Sequence, residues 1–183
     1  VLTAGELVGL PTETVYGLGA NALSDEAVGK IYAAKGRPSF NPLIVHVTGA
    51  GEAATYVDVS PLAEKLMGAF WPGPLTIVLP RRDDCALSPI VSAGLNTVAL
   101  RAPGHPVAQA LLNACGLPLA APSANVSGSI SPTRAEHVAE GLGNKVACVL
   151  DGGTCDVGLE STIVSVDGDT LTLLRPGSIS ANE

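Results

Sequence analysis

Aromatic residues are scarce in this chain: Phe, Trp and Tyr make up 3% of its 183 residues. Packing therefore falls to Ala, Val, Leu and Ile, and the 46% hydrophobic content sits near the globular norm. Stacking platforms for single-stranded nucleic acid depend on aromatic side chains, so the shortage disfavours that mode of binding. Basic residues are short too, with 10 Lys plus Arg against 17 Asp plus Glu and a net charge of -7. A free-standing nucleic-acid binder usually carries the opposite sign. Any RNA contact would need a local basic patch or an RNA-binding partner. The cysteines, Cys85, Cys115, Cys148 and Cys155, form no C-x-x-C and have no His cluster beside them. That excludes a disulfide framework and a zinc site, and reads as reduced thiols in a cytoplasmic protein.

Several catalytic signatures are missing. There is no G-x-x-x-x-G-K-[ST], no H-E-x-x-H and no G-x-S-x-G, which excludes P-loop ATPases, zincins and α/β-hydrolases. Gly17-Leu18-Gly19-Ala20-Asn21-Ala22 matches a loose dinucleotide fingerprint. However, 11–16 separates it from the first strand, and no Asp or Glu follows between residues 27 and 51. A nicotinamide site is rejected. Residues 102–133 hold no Asp, Glu, Lys or Arg, yet Pro103, Pro106, Pro118, Pro122 and Pro132 break the stretch, so it is no membrane span. The N-terminus lacks the basic start of a signal peptide, and Glu6 interrupts its apolar run. A start at Val1 and a polar 178–183 read as a chain trimmed at one or both ends.

What is there is a chain of one-domain length, 1–183, large enough to hide about 70% of its unfolded surface. Short β-rich runs recur at 7–10, 43–47, 75–79, 97–100, 117–121, 146–150, 162–166 and 170–174. Asp167-Gly168-Asp169 reads as a hairpin turn. Between the runs lie helical segments. Ser24 caps the first, with Ala27, Ile31 and Ala34 inward and Gly36 and Pro38 as its stop. Ser60-Pro61 opens a second, with Leu62, Leu66 and Phe70 inward. His105-Pro106 opens a third, with Val107, Ala110 and Leu111 inward and Gly116 as its stop. Thr133 and Glu136 predict a capping box for a fourth. The alternation predicts an α/β fold, a single-domain twisted mixed sheet with flanking helices.

Polar residues gather at predicted strand ends: Thr12, Glu13 and Thr14 after the first, then His46, Arg101, and the pair Ser123 and Asn125. In open α/β sheets, ligands bind beyond the carboxyl ends of the strands, which predicts one convergent site there. Lys35-Gly36-Arg37 places two cations two residues apart. In an extended stretch both side chains would point one way and grip neighbouring phosphate oxygens. Equally, cations favour helix C-termini. Ser123-Ala124-Asn125 repeats the spacing with a hydroxyl and an amide, either for a phosphate or sugar or as a polar turn. His46 reads as a satisfied core histidine or a ligand group. Arginine is seldom buried unpaired, so Arg101 reads as a ligand group or as half of a structural salt bridge. Arg175-Pro176-Gly177 and 158–162 read as turns or site loops, and 70–74 as a packed corner.

Taken together, PTETVYGLGANA (11–22), KGRPSFNPLIVHV (35–47), FWPGPLTIVLP (70–80), VALRAPGHP (98–106), APSANVSGSISPT (121–133), GLESTIV (158–164) and LLRPGSI (173–179) occur in an order that resembles the YrdC-type family of threonylcarbamoyl-AMP synthases. The resemblance covers nearly the whole chain. It implies a concave, positively lined cavity and the conversion of L-threonine, bicarbonate and ATP to L-threonylcarbamoyl-AMP and pyrophosphate. Mg²⁺ would arrive with ATP, without a dedicated protein metal site. The product would feed a downstream tRNA-modifying transferase complex. The resemblance places Lys35, Arg37, Ser123, Asn125 and Arg175 on the nucleotide, Lys35 and Arg37 also serving catalysis. It places Thr12, Tyr16, His46, Arg101 and Ser161 at the threonine pocket. Some members carry a further C-terminal domain that these residues do not include. A carbamoyl-AMP-forming module and a non-catalytic nucleotide- or RNA-binding paralogue are the alternatives.

Overall fold

A computed structural model describes residues 1–180 and 182. In chain order the elements are β1 (Val8–Leu10), β2 (Gly17–Asn21), α1 (Asp25–Lys35), β3 (Ile44–His46), α2 (Ala50–Ala53), α3 (Pro61–Phe70), β4 (Leu75–Pro80), β5 (Thr97–Arg101), α4 (Pro106–Cys115), β6 (Leu119–Ala120), α5 (Ala135–Leu142), β7 (Cys148–Val149), β8 (Thr162–Asp167) and β9 (Thr170–Arg175). The strands form one nine-stranded mixed sheet in the order β7-β1-β2-β6-β3-β5-β4-β8-β9. The α/β reading is borne out, and so is the hairpin at Gly168, whose φ of 57° suits glycine.

Local signals place α1 well. The Ser24 side chain accepts from the Ala27 amide at 3.2 Å, and Gly36 ends the helix with φ 60°. Other readings need correction. β2 was not expected as a strand, because its Gly17 and Gly19 are poor strand formers. They are there for close approach: a Cβ on Gly19 would lie 2.8 Å from Leu10 Cδ2, and one on Gly17 3.3 Å from Ala121 Cβ. In α3 the fully buried residues are Ala63 and Met67, with Leu62, Leu66 and Phe70 packing at the margin. In α4 they are Ala108 and Leu112, and Ala110 is exposed. In both helices the inward stripe is centred on other residues, because neighbouring elements, not apolar content alone, fix the rotation. The Thr133/Glu136 capping box does not form. Arg134 is the N-cap residue without a side-chain cap, and His137 Nδ1 accepts from the Thr133 amide at 3.4 Å.

Strand direction decides where a site can lie. β1 is antiparallel to β2 and β2 to β6, so β1 and β6 run one way. β3 is antiparallel to β6 and parallel to β5, so those two run the other way. The carboxyl ends carrying Thr12, His46, Arg101 and Ser123 therefore do not share one edge, and the rule for parallel sheets does not apply. The polar residues meet over a face of the sheet instead.

Candidate functional site

A cavity of about 130 Å³ opens on that face. Ile44 and His46 of β3, residues 121–123 after β6, and Ser161 and Ile163 at the start of β8 line it. It is smaller than the roughly 300–1,000 Å³ of pockets that enclose drug-sized ligands. A small anion or amino acid fits inside it, and anything of nucleotide size has to extend over the adjoining surface.

The loop 11–16 between β1 and β2 is the hub. Thr12 Oγ1 donates to the Val15 carbonyl at 2.6 Å and shares a 2.9 Å bond with Thr14 Oγ1, a side-chain-closed turn. The backbone carbonyls of Glu13 and Thr14 accept from the Val157 and Gly158 amides at 2.9 and 3.0 Å. This ties the hub to the segment that enters β8. Arg101, at the end of β5, is 3% exposed. Its Nε donates to the Gly73 carbonyl at 3.2 Å, one terminal nitrogen to Thr14 Oγ1 at 2.9 Å and the other to Glu13 Oε1 at 2.6 Å. The corner at 70–74 supplies that carbonyl. It is fixed by Trp71 Nε1 donating to the Leu75 carbonyl at 2.7 Å and by the Gly73 amide donating to the Ala102 carbonyl at 2.8 Å.

His46 is buried beside Arg101, its register partner on β5. Burial, and secondly the Arg101 charge, push its pKa down to about 3, so the imidazole is neutral. Among the described residues, its Nδ1 is a buried polar atom without a hydrogen-bond partner, a state rare in folded proteins and expected where a ligand binds.

The opposite wall comes from β8 and β9. Arg175 donates through Nε and NH2 to the Ser161 carbonyl at 3.1 and 2.9 Å, and through NH2 to Ser161 Oγ at 3.1 Å. Ser161 Oγ also bonds Thr76 Oγ1 at 2.7 Å. Glu160 stands 3.6 Å from Arg175 and accepts from Ser131 Oγ at 2.7 Å. Arg37 is held by the carbonyls of Asn41 and Pro42 at 3.2 and 2.9 Å. Burial lowers the pKa of Arg37 and Arg175, opposed at Arg37 by Tyr32 and then Glu160, and at Arg175 by Glu160. Both stay protonated, and both gain from a nearby anion.

Seven expected site residues line this cavity: Thr12, His46, Arg101 and Ser161 with Arg37, Ser123 and Arg175. Lys35, Asn125 and Tyr16 do not. Lys35 is not in an extended stretch; it is the last residue of α1, 1% exposed, and Gly36 is left-handed. Its ammonium donates to the carbonyls of Ser123 and Asn125, each at 2.5 Å, while the Ser127 amide donates to the Lys35 carbonyl at 2.9 Å. Lys35 thus shapes the Ser123–Asn125 loop from behind. Burial and the nearby Arg37 charge lower its pKa to about 8. The Asn125 amide nitrogen closes its own turn on the carbonyls of Val126 and Ser129 at 2.9 and 2.8 Å, leaving Oδ1 buried and, among the described residues, unpartnered. The Tyr16 hydroxyl accepts from the Gly152 amide at 3.1 Å and donates to the Gly153 carbonyl at 2.8 Å, so it anchors the loop after β7. Thr14 and Glu160 line the cavity too; the sequence places Thr14 among the polar strand-end residues and Glu160 in the 158–162 segment, without assigning either a ligand. Among the described residues no three His, Cys, Asp or Glu side chains gather as a metal site, all four cysteines are free, and no helix is long and apolar enough to cross a membrane.

Residues 1–177 match the Sua5/yciO/yrdC family model, described as telomere recombination. A threonylcarbamoyl-AMP synthase of Bacillus subtilis is 54% identical over 184 residues, covering 100% of this chain and 53% of its own length. The crystal structure of P. abyssi Sua5 complexed with L-threonine shares 47% identity and a TM-score of 0.92, over 96% of this chain and 52% of that one. E. coli YciO shares 25% identity and a TM-score of 0.86, over 97% of this chain and 85% of that one. The chain spans about half the length of the curated Bacillus, Pyrococcus and Schizosaccharomyces relatives (53%, 52% and 48%).

Proposed function

This chain belongs to the Sua5/YciO/YrdC family, and we propose that it is the adenylating domain of a threonylcarbamoyl-AMP synthase. L-threonine and bicarbonate condense to a carbamate with loss of water. A carbamate oxygen then attacks the α-phosphorus of ATP, and pyrophosphate leaves. The observation that carries the reading is the cavity's pairing of the Arg101 guanidinium with a neutral His46 whose Nδ1 has no hydrogen-bond partner among the described residues, beside Arg37 and Arg175.

In this reading Arg101 takes the threonine carboxylate, a planar match for a guanidinium. A neutral imidazole supplies one donor and one acceptor, suited to the amine or hydroxyl of the same substrate. Ser161, Thr12 and Thr14 complete a small polar chamber. Arg37 and Arg175 lie where phosphate oxygens reach in from the surface and offset the charge that develops as pyrophosphate departs. Ser123 and Asn125 contribute through a loop whose shape Lys35 sets. No covalent enzyme intermediate is needed; positioning and charge neutralisation do the work. Mg²⁺ enters as part of the nucleotide substrate. The adenylate is consumed by a tRNA-modifying transferase in the cytoplasm.

The test is pyrophosphate release and adenylate formation from ATP, with L-threonine and bicarbonate each added and omitted. Product is expected only with all three present, falling about a hundredfold or more in Arg37→Ala, in line with loss of a transition-state charge contact. Pyrophosphate release independent of threonine, or failure to bind ATP, sinks the proposal.

A further inference from the structure

Glu13 holds a cavity residue, Arg101, from outside the cavity. It does not line the cavity, yet both its carboxylate oxygens are committed: Oε1 to Arg101 at 2.6 Å and Oε2 to the Gly104 amide at 3.0 Å. The ion pair is well shielded, the Arg101 side chain being 4% and the Glu13 side chain 15% exposed. Arg101 is thus held by three acceptors, the Gly73 carbonyl, Thr14 Oγ1 and Glu13 Oε1. A guanidinium has five N–H donors in a rigid plane, so fixing three fixes the direction of the other two.

We propose that Glu13 is a positioning residue, which sets the plane of Arg101 so that its remaining N–H donors face the cavity and meet a substrate carboxylate. The inference rests on the function proposed above. The second oxygen makes a carboxylate necessary. It accepts from Gly104 in the loop leaving β5, while the Glu13 carbonyl accepts from Val157 in the loop entering β8. Glu13 therefore references Arg101 to both flanking loops at once. A glutamine has one acceptor and one donor at its tip. It leaves either the Gly104 amide or an Arg101 N–H facing a donor, and the guanidinium rotates away.

The experiment is calorimetric titration of wild type and Glu13→Gln with L-threonine at saturating ATP analogue, and separately with the analogue alone, alongside thermal melts. The expected result is a loss in L-threonine affinity of about tenfold or more, as for a misaligned charge-assisted contact, with affinity for the analogue within about twofold of wild type. Unchanged or improved threonine affinity in Glu13→Gln overturns the inference and leaves the proposed function standing. A parallel loss of both ligands with a lowered melting temperature also overturns it, since that marks a structural role only. Wild type that binds the analogue but no threonine overturns the proposed function itself, and the inference with it.

Discussion

Gly177 is where one added methyl group should disable the site. The residues after β9 run back against the start of β8, so that Arg175 lies over Ser161. A Cβ at position 177 would fall inside contact distance of the Thr162 amide nitrogen, 2.6 Å from the Glu160 carbonyl oxygen and 2.7 Å from the Ser161 carbonyl carbon. All three are backbone atoms at the entry to β8 and cannot yield as a flexible side chain can. The crossing is also stitched: Thr162 Oγ1 donates to the Ile179 carbonyl at 3.0 Å and is approached by the Ile179 amide at 3.1 Å. Gly177→Ala therefore has to lift the segment. Overpacking costs about 1–3 kcal/mol, and two lost hydrogen bonds about 1 kcal/mol each. A loss near 4 kcal/mol corresponds to a melting temperature lower by roughly 8–16 °C for a domain of this size. Lifting the segment also draws Arg175 off Ser161, so ATP affinity should fall about tenfold. The assay is scanning calorimetry with nucleotide titration. Gly68→Ala serves as the control, because Gly68 lies in the exposed interior of α3 with nothing within 4 Å of an added Cβ. That change should stabilise by about 0.5–1 kcal/mol through helix propensity. A Gly177→Ala protein that melts with wild type and binds nucleotide equally well would refute the close-approach reasoning.

Two pH predictions follow from the buried groups. Lys35 has a folded pKa of about 8 against an ordinary 10.5, so between those values the unfolded state holds more protons and stability rises with pH. Wild type should therefore gain up to about 3 kcal/mol relative to Lys35→Met as pH rises through this window, measured by urea melts; a flat difference overturns it. The contacts survive deprotonation, since a neutral amine keeps two N–H donors for its two carbonyls. His46 shifts down to about 3 from 6.5, so its contribution is full above pH 6.5 and is lost as pH falls toward 3. His46→Gln should flatten the acid limb by up to about 1.4 kcal/mol per pH unit, and the wild-type imidazole should show no NMR titration down to pH 4. Protonation of His46 near pH 6 would contradict its assignment as a neutral ligand group.

Most features set by neighbouring residues were legible in the sequence, the Thr133/Glu136 box, displaced by a start at Arg134, being an exception. The Ser24 cap, the Gly36 stop and the Gly168 hairpin each depend on a few consecutive residues, and each is found. Features set by distant residues were not. β2 exists because Leu10 and Ala121 press against glycines that no propensity scale would place in a strand. The direction of β3 relative to β6 depends on pairing across more than seventy residues, so the rule for parallel sheets pointed to an edge where the site does not lie. The resemblance in motif order singled out the cavity's arginines and its histidine, and for His46 and Arg101 residue type alone was a signal, since both sit on buried strand ends. It did not separate residues that face the cavity from those that hold the wall. Lys35 and Tyr16 share motifs with Arg37 and Thr12, yet both turn away to bind backbone, and only side-chain direction distinguishes them.

Net charge misleads here for a related reason. The chain carries -7 overall, yet its cavity holds three guanidinium groups and one carboxylate, and over a few ångströms local charge outweighs the distant, screened surface. The three arginines are neutralised to different degrees. Arg101 has Glu13 at 2.6 Å, Arg175 has Glu160 at 3.6 Å, and Arg37 has only carbonyls as hydrogen-bond partners among the described residues. The uncompensated positive charge therefore lies at the Arg37–Arg175 side, where the proposed function puts the triphosphate. The balanced pair lies where the same proposal puts the single threonine carboxylate, held by shape and hydrogen bonding. On this basis raised ionic strength should weaken ATP binding and leave L-threonine binding at saturating nucleotide nearly unchanged. Titrations at about 50 and 500 mM salt decide it, and equal salt dependence for the two ligands would mean that the gradation of charge along the cavity plays no part in sorting them.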